Sequence, residues 1–400
     1  MYFWLLGCWK NVSQVVPHEE AQKWNEQIVV ESNEDVLQID VRVGSASDPV
    51  GKEGLAYLTA HMIFPSALGV EIDIERERTR FRIPVPASKE ESIINQVLDC
   101  LVNPMWSEQR QQQLTEESLA HMTDWSVSTS VPEDIFELLL YSGHPYGHFP
   151  FGGQRALSAI NNIDLHNFYA QYFIRSSILL GWDGKAYRRA VVEKVQVGLS
   201  SLPTYMPKYK TPVSLSVSKD AYGMYLFDEE HERNAIVWGS VVPQATKEQR
   251  MVALIVNEYM CPTASMYKRD TSIRVYDPII MCSELHKGDD ETLAALERYS
   301  IRYQAIHEES DDHLQGVQAR VLRKLRTEHM ELAFHSELFS DFSVLELEPQ
   351  MIRNTLKEIS IHRPKILVIS SQPQNFSREI EDLLDFPVYF LDSPLESFTK

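Results

Sequence analysis

Cysteine is scarce in this chain: four residues in 400, Cys8, Cys100, Cys261 and Cys282, none of them in a C-x-x-C pair. That density excludes a disulfide scaffold, and the scattered thiols make a reducing compartment, the cytoplasm, the expected location. A surplus of positive charge is also missing. Lys and Arg number 38 against 57 Asp and Glu, a formal net charge of −19, so the chain holds no reserve of cations to displace counterions from a nucleic-acid backbone. No apolar run reaches the roughly 20 residues of a membrane span, and no low-complexity tract interrupts the sequence.

What the chain does have is core material. Hydrophobic residues make up 44% and aromatics 10% of it, enough at this length for two or three domains. The apolar start, Met1 to Trp9, lacks a basic leader and is short for a signal core. Within it Leu5-Leu6-Gly7-Cys8 resembles a bacterial lipoprotein cleavage box, which keeps export open as an alternative.

Periodicity sets the elements. Leu37, Ile39, Val41 and Val43 alternate at strand period, and after the turn-like Gly44 to Pro49 a helix carrying Leu55, Leu58 and Met62 must stop before Pro65. The alternating run Val70 to Pro86 predicts a half-exposed strand or hairpin arm, with Glu71, Asp73, Glu75 and Glu77 on one face and Ile72, Ile74, Arg76 and Arg78 on the other. A helix is predicted over Ser88 to Asp99, with Ser88 and Glu91 spaced as a capping box. Another starts near Pro132 and leaves at His144-Pro145-Tyr146-Gly147-His148, where the two histidines read as turn residues and not a metal pair. Asp164 to Phe173 reads as helix and Ile178 to Trp182 as a buried strand.

The aperiodic, proline-bearing stretch beginning at Gly198 marks a linker. The expected division is residues 1–197, a linker 198–214, and residues 215–400. Beyond the linker the order recurs: strand Ala235 to Val242, helix Lys247 to Met260, helices Glu291 to Tyr303 and Asp312 to Phe334, then strand Ile366 to Ile369. Arg175 to Asp183 is echoed by Arg363 to Ser371, an offset of 188 residues from 175 to 363. The predicted fold class is therefore α+β, two homologous halves, each a mostly antiparallel sheet covered by helices.

Val43 to Phe64 resembles the entry to the zinc helix of the pitrilysin/insulinase metallopeptidases, the inverzincins. Phe81-Arg-Ile-Pro-Val-Pro86, Asn103-Pro-Met-Trp-Ser107, His144-Pro-Tyr-Gly-His148 and Asp164 to Tyr172 follow in that family's order. The mark of the family is H-x-x-E-H, two histidines one helical turn apart holding Zn²⁺ and a glutamate acting as general base. Here that position reads Tyr57-Leu58-Thr59-Ala60-His61, and the motif occurs nowhere else in the chain. One ligand and the base are gone, so Tyr57 and Ala60 are degenerate positions and no catalytic residue remains.

The resemblance places the distal ligand at Glu133, 72 residues beyond His61, with Glu137 as the other candidate. His61 and Glu133 alone imply weak zinc binding or none, because catalytic sites use three protein ligands. In the second half, Tyr267 to Tyr276 resembles the family's substrate-backbone block, with Arg269 and Tyr276 keeping its interval of seven while the flanking glycines are lost. An Arg there suits a forked contact with a peptide. The resemblance thus implies a non-catalytic subunit enclosing peptide beside a partner with intact H-x-x-E-H, with two alternatives: an active zinc metalloendopeptidase with an atypical site, or a structural assembly subunit.

Overall fold

A computed structural model of the chain describes residues 28–30, 35–125, 131–141, 143–183, 188–204, 223–228, 234–242, 245–260, 279–327, 346–359, 365–370 and 388–391. The first sheet comprises β1 (Ile28–Val30), β2 (Val36–Val41), β3 (Glu71–Ile74), β4 (Thr79–Pro84) and β5 (Ile178–Asp183), in the order β1-β5-β2-β4-β3. Only β1 and β5 are parallel; the other pairings are antiparallel. With them come helices α1 (Leu55–Ile63), α2 (Glu90–Val102), α3 (Glu108–Trp125), α4 (Val131–Leu140), α5 (Gln154–Ala159), α6 (Asn162–Tyr172) and α7 (Arg189–Gly198).

The alternation seen in β2 has a plain cause. Leu37, Ile39 and Val41 sit opposite Ile83, Phe81 and Thr79 on one side and Trp182, Leu180 and Ile178 on the other, and the apolar members form one wholly buried layer. Helices cover it with Leu58 and Met62 of α1, Ile94, Val97 and Leu101 of α2, Leu165 and Phe168 of α6, and Val191 and Val195 of α7. Each such side chain contributes about 1.5–3 kcal/mol by leaving water.

The run Val70 to Pro86 is a hairpin, β3 to β4, so Arg76 and Arg78 belong to its turn and not to a strand face. Both are buried. The turn folds onto the loop before α1, where Ser45 and Ala46 donate to the carbonyls of Glu75 and Arg76. The Ser88–Glu91 capping box does not form: Ala87–Lys89 is a 3-10 turn, α2 starts at Glu90, and its N-cap Lys89 makes no side-chain bond. A capping box does form at α6, where Asn161 accepts from Asp164 and the Asp164 carboxylate accepts from the Asn161 amide. Helix α7 runs through Gly198, and Leu199 and Leu202 beyond it are buried in the first core.

The second sheet contains β6 (Gly223–Asp228), β7 (Asn234–Val241), β8 (Ile279–His286), β9 (Lys365–Ser370) and β10 (Val388–Leu391), ordered β10-β6-β9-β7-β8. Helices α8 (Lys247–Met260), α9 (Asp289–Ala305), α10 (Asp311–Thr327) and α11 (Pro349–Ile359) accompany it. The halves repeat one topology. In the first, β1 lies parallel to β5, which is antiparallel to β2; in the second, β6 lies parallel to β9, which is antiparallel to β7, and β10 adds a further parallel strand beyond β6. Leu180 faces Ile39 in one sheet and Val368 faces Ile236 in the other, which keeps the offset of 188 read from the sequence.

β7 is buried along its whole length because both of its faces are covered. Ile236 and Trp238 enter the core formed with α8 to α11, while Ala235, Val237 and Val241, with Leu367 and Ile369 of β9, pack against Ile135, Phe136, Leu138 and Leu140 of α4. A helix of the first half thus roofs the second half's sheet, and the Lys365 ammonium donates to the Leu139 carbonyl at 3.1 Å near the end of that helix. Among the described residues no helix is long and apolar enough to cross a membrane.

Candidate functional site

Helix α1 carries the Tyr57-Leu-Thr-Ala-His61 segment, and its burial pattern decides which residues can act. Leu55, Ala56, Leu58, Thr59, Ala60, Met62 and Ile63 are buried, leaving Tyr57 and His61, one turn apart, as the half-buried face. Their rings stack with centroids 4.1 Å apart. The His61 Nδ1 lies 2.9 Å from the Tyr57 carbonyl oxygen; a carbonyl only accepts, so Nδ1 carries the proton and Nε2 is the ring's acceptor. Ala60 has no exposure and offers no polar atom.

Tyr57 packs against both the first core and the cluster built on α4. Burial, and secondarily the charge of Glu117, pushes its phenol up from the usual value of 10.0. The two candidate carboxylates on α4 differ. Glu133, in the first turn, is 1% exposed, whereas Glu137 faces the buried Arg76 guanidinium at 3.4 Å.

The start of α1 is held by a residue outside the helix. Its N-cap, Gly54, has no side chain to offer and sits in the left-handed region at φ 96°, where a Cβ would come within 2.9 Å of the Gly152 Cα. Asp48 supplies the missing cap: its two carboxylate oxygens accept from the Gly54 and Ala56 amides, each at 2.7 Å. His148 lies against the same carboxylate, Nε2 to Oδ2 at 3.3 Å, and its own carbonyl accepts from Arg76. Burial raises the Asp48 carboxyl above its usual range, partly offset by His148 and the two amides. Lys52, in the loop before α1, pairs with Asp164 of α6. The histidine turn therefore ties α1 to the hairpin and to α4. Sequence reading missed Asp48 and Arg76 as parts of this region; an Asp six residues ahead of a glycine-started helix is the signal that could have found the first. Arg269 and Tyr276 lie outside the described residues.

No family model matches the chain, and no curated protein matches it. Solved structures do. A chain of complex III2 from Candida albicans superposes with a TM-score of 0.66 at 11% identity, over 90% of this chain and 94% of that one. The inactive M16 peptidase domain from Pseudomonas fluorescens gives a TM-score of 0.61 at 14% identity, over 86% and 94%. Pitrilysin gives a TM-score of 0.67 at 14% identity, over 88% of this chain and 44% of its own. The chain has the pitrilysin-type M16 peptidase fold.

A pitrilysin-type zinc centre needs a donor set that α1 does not carry. Of the motif positions, His61 keeps an imidazole, Tyr57 offers a phenol driven away from its ligating phenolate form, and Ala60 offers nothing. Among the described residues no group of three or more His, Cys, Asp and Glu could hold a metal ion. At positions 57, 60 and 61 the residues present, Tyr57, Ala60 and His61, do not supply the two imidazoles and the general base of a catalytic zinc centre.

Proposed function

We propose that this chain is a non-catalytic, peptidase-like subunit that encloses a peptide beside a partner bearing an intact H-x-x-E-H helix. One observation carries the reading: the stacked Tyr57 and His61 rings, with buried Ala60 between them in sequence, stand where two ligands and a general base would be. Likeness to M16 peptidases supports a peptide as the bound class and a relative as the partner. In this reading Arg269 and Tyr276 contact the peptide backbone, residues 198–214 join the two halves, and the scattered cysteines favour the cytoplasm.

The test is metal analysis and peptide hydrolysis on the purified chain, alone and with candidate partners. Substoichiometric zinc, no hydrolysis alone, and activity only with a motif-bearing partner are expected. One tightly held zinc with hydrolysis by the chain alone overturns the reading in favour of an atypical enzyme. In the active pair, Arg269→Ala lowers kcat/KM about tenfold or more by removing a charge-assisted hydrogen bond.

A second reading has its own support. The match to a chain of complex III2 spans nearly the whole of both molecules, as a structural subunit of a large assembly would. Co-purification in a large complex without peptidase activity distinguishes it.

A further inference from the structure

Between the loop that precedes α1, the last turn of α4, the turn at Gly147 to Phe149 and helix α5 lies a cavity of about 580 Å³, within the roughly 300–1,000 Å³ usual for small-ligand sites. Phe149, Ala156 and Ala159 give it apolar walls, with the wholly buried Leu138 behind them. Two charges of opposite sign, Glu53 and Arg155, line the same space. Neither forms an ion pair with the other or with any other described residue. Glu53 accepts a hydrogen bond at 2.8 Å from the Gly51 amide within its own loop, and Arg155 stands on the exposed side of α5. Val50, which also lines the cavity, is 100% exposed.

Opposite charges that share a cavity yet do not neutralise one another suit a ligand that carries both signs, and apolar walls suit an apolar body between them. We propose that this cavity binds a short zwitterionic peptide with an apolar side chain, its carboxylate on Arg155, its ammonium on Glu53 and its side chain against Phe149 and Ala159. The occupant also covers Val50. Neither Tyr57 nor His61 lines this cavity, so the proposal stands or falls independently of the reading of α1.

The experiment is calorimetric titration of the full chain with Leu-Leu, its N-acetyl form and its C-terminal amide. Leu-Leu binds, and each capped form binds about tenfold or more weakly, because each loses one charge-assisted contact. Arg155→Gln removes the discrimination against the amide and leaves that against the acetyl form. Glu53→Gln, which keeps the oxygen that accepts from Gly51, does the reverse. Ala159→Trp, at an exposed position at the end of α5, blocks all binding while the circular dichroism spectrum stays unchanged. No heat with Leu-Leu, equal binding of the three peptides, or an equal loss for all three in Arg155→Gln overturns the proposal.

Discussion

Asp48 shows how a buried carboxylate can serve structure at an electrostatic cost. It accepts the two amides that open α1, and an alanine there leaves both without that acceptor in a buried place. Orphaned groups of this kind cost about 1–3 kcal/mol each, so Asp48→Ala is expected to lose about 2 kcal/mol or more, measured by urea unfolding. The loss depends on pH in a direction the burial dictates. Because the folded-state pKa lies above the usual 3.8, this residue's contribution is full below 3.8 and declines as pH rises through the raised value. The gap between wild type and Asp48→Ala should therefore be wider near pH about 4 than near about 7. An equal gap at both would mean that the carboxylate is not desolvated. In the sequence Asp48 is one residue of a turn-like run, and only its place ahead of a glycine-started helix hints at the cap; its contact with His148, 100 residues away, exists only once the chain has folded.

At the scale of the element, α1 combines what sequence could and could not tell. The helix, its stop before Pro65 and the shared face of Tyr57 and His61 follow from spacing alone. Burial of Ala60 depends on the first core closing around α1, and it changes the expected result of rebuilding the motif. Tyr57→His with Ala60→Glu writes His-Leu-Thr-Glu-His, but the new Glu enters a fully buried position. Without metal the double variant should melt below wild type, since an uncompensated buried carboxylate is costly. With zinc the melting temperature should recover, with Glu133 or Glu137 of α4 as the third ligand. No recovery with zinc would remove both carboxylates from the candidate site. Other elements were illegible for similar reasons. Helix α3 opens Glu-Gln-Arg-Gln-Gln-Gln and, over its first thirteen residues, buries only Leu114 and Ser118, too few to leave a stripe. The Ser88 capping signal lost to a 3-10 turn that moved the helix start two residues on.

At the scale of the molecule, the repeat was legible because strands β5 and β9 keep their composition and spacing, whereas the roof over the second sheet was not. The apolar stripe of α4 predicts a buried helix but not which sheet it covers. The structure sends it across to the other half: Phe136, without exposure, packs in one cluster with Val237 of β7 and Leu367 of β9. A sheet whose back face is closed by another half's helix cannot keep its full stability when that helix is loosened. Phe136→Ala should cost about 3–5 kcal/mol, as wholly buried Phe truncations do, and the cost should be shared between the halves. Amide hydrogen exchange reads this strand by strand. The expected outcome is loss of protection in β7 and β9 as well as in α4, with Trp182 in the first core and Trp238 in the second reporting coincident unfolding in single-tryptophan versions. Exposure confined to α4, with β7 and β9 as protected as in wild type, would mean that the second half is stable without its roof, and that the two halves are joined by contact without being coupled.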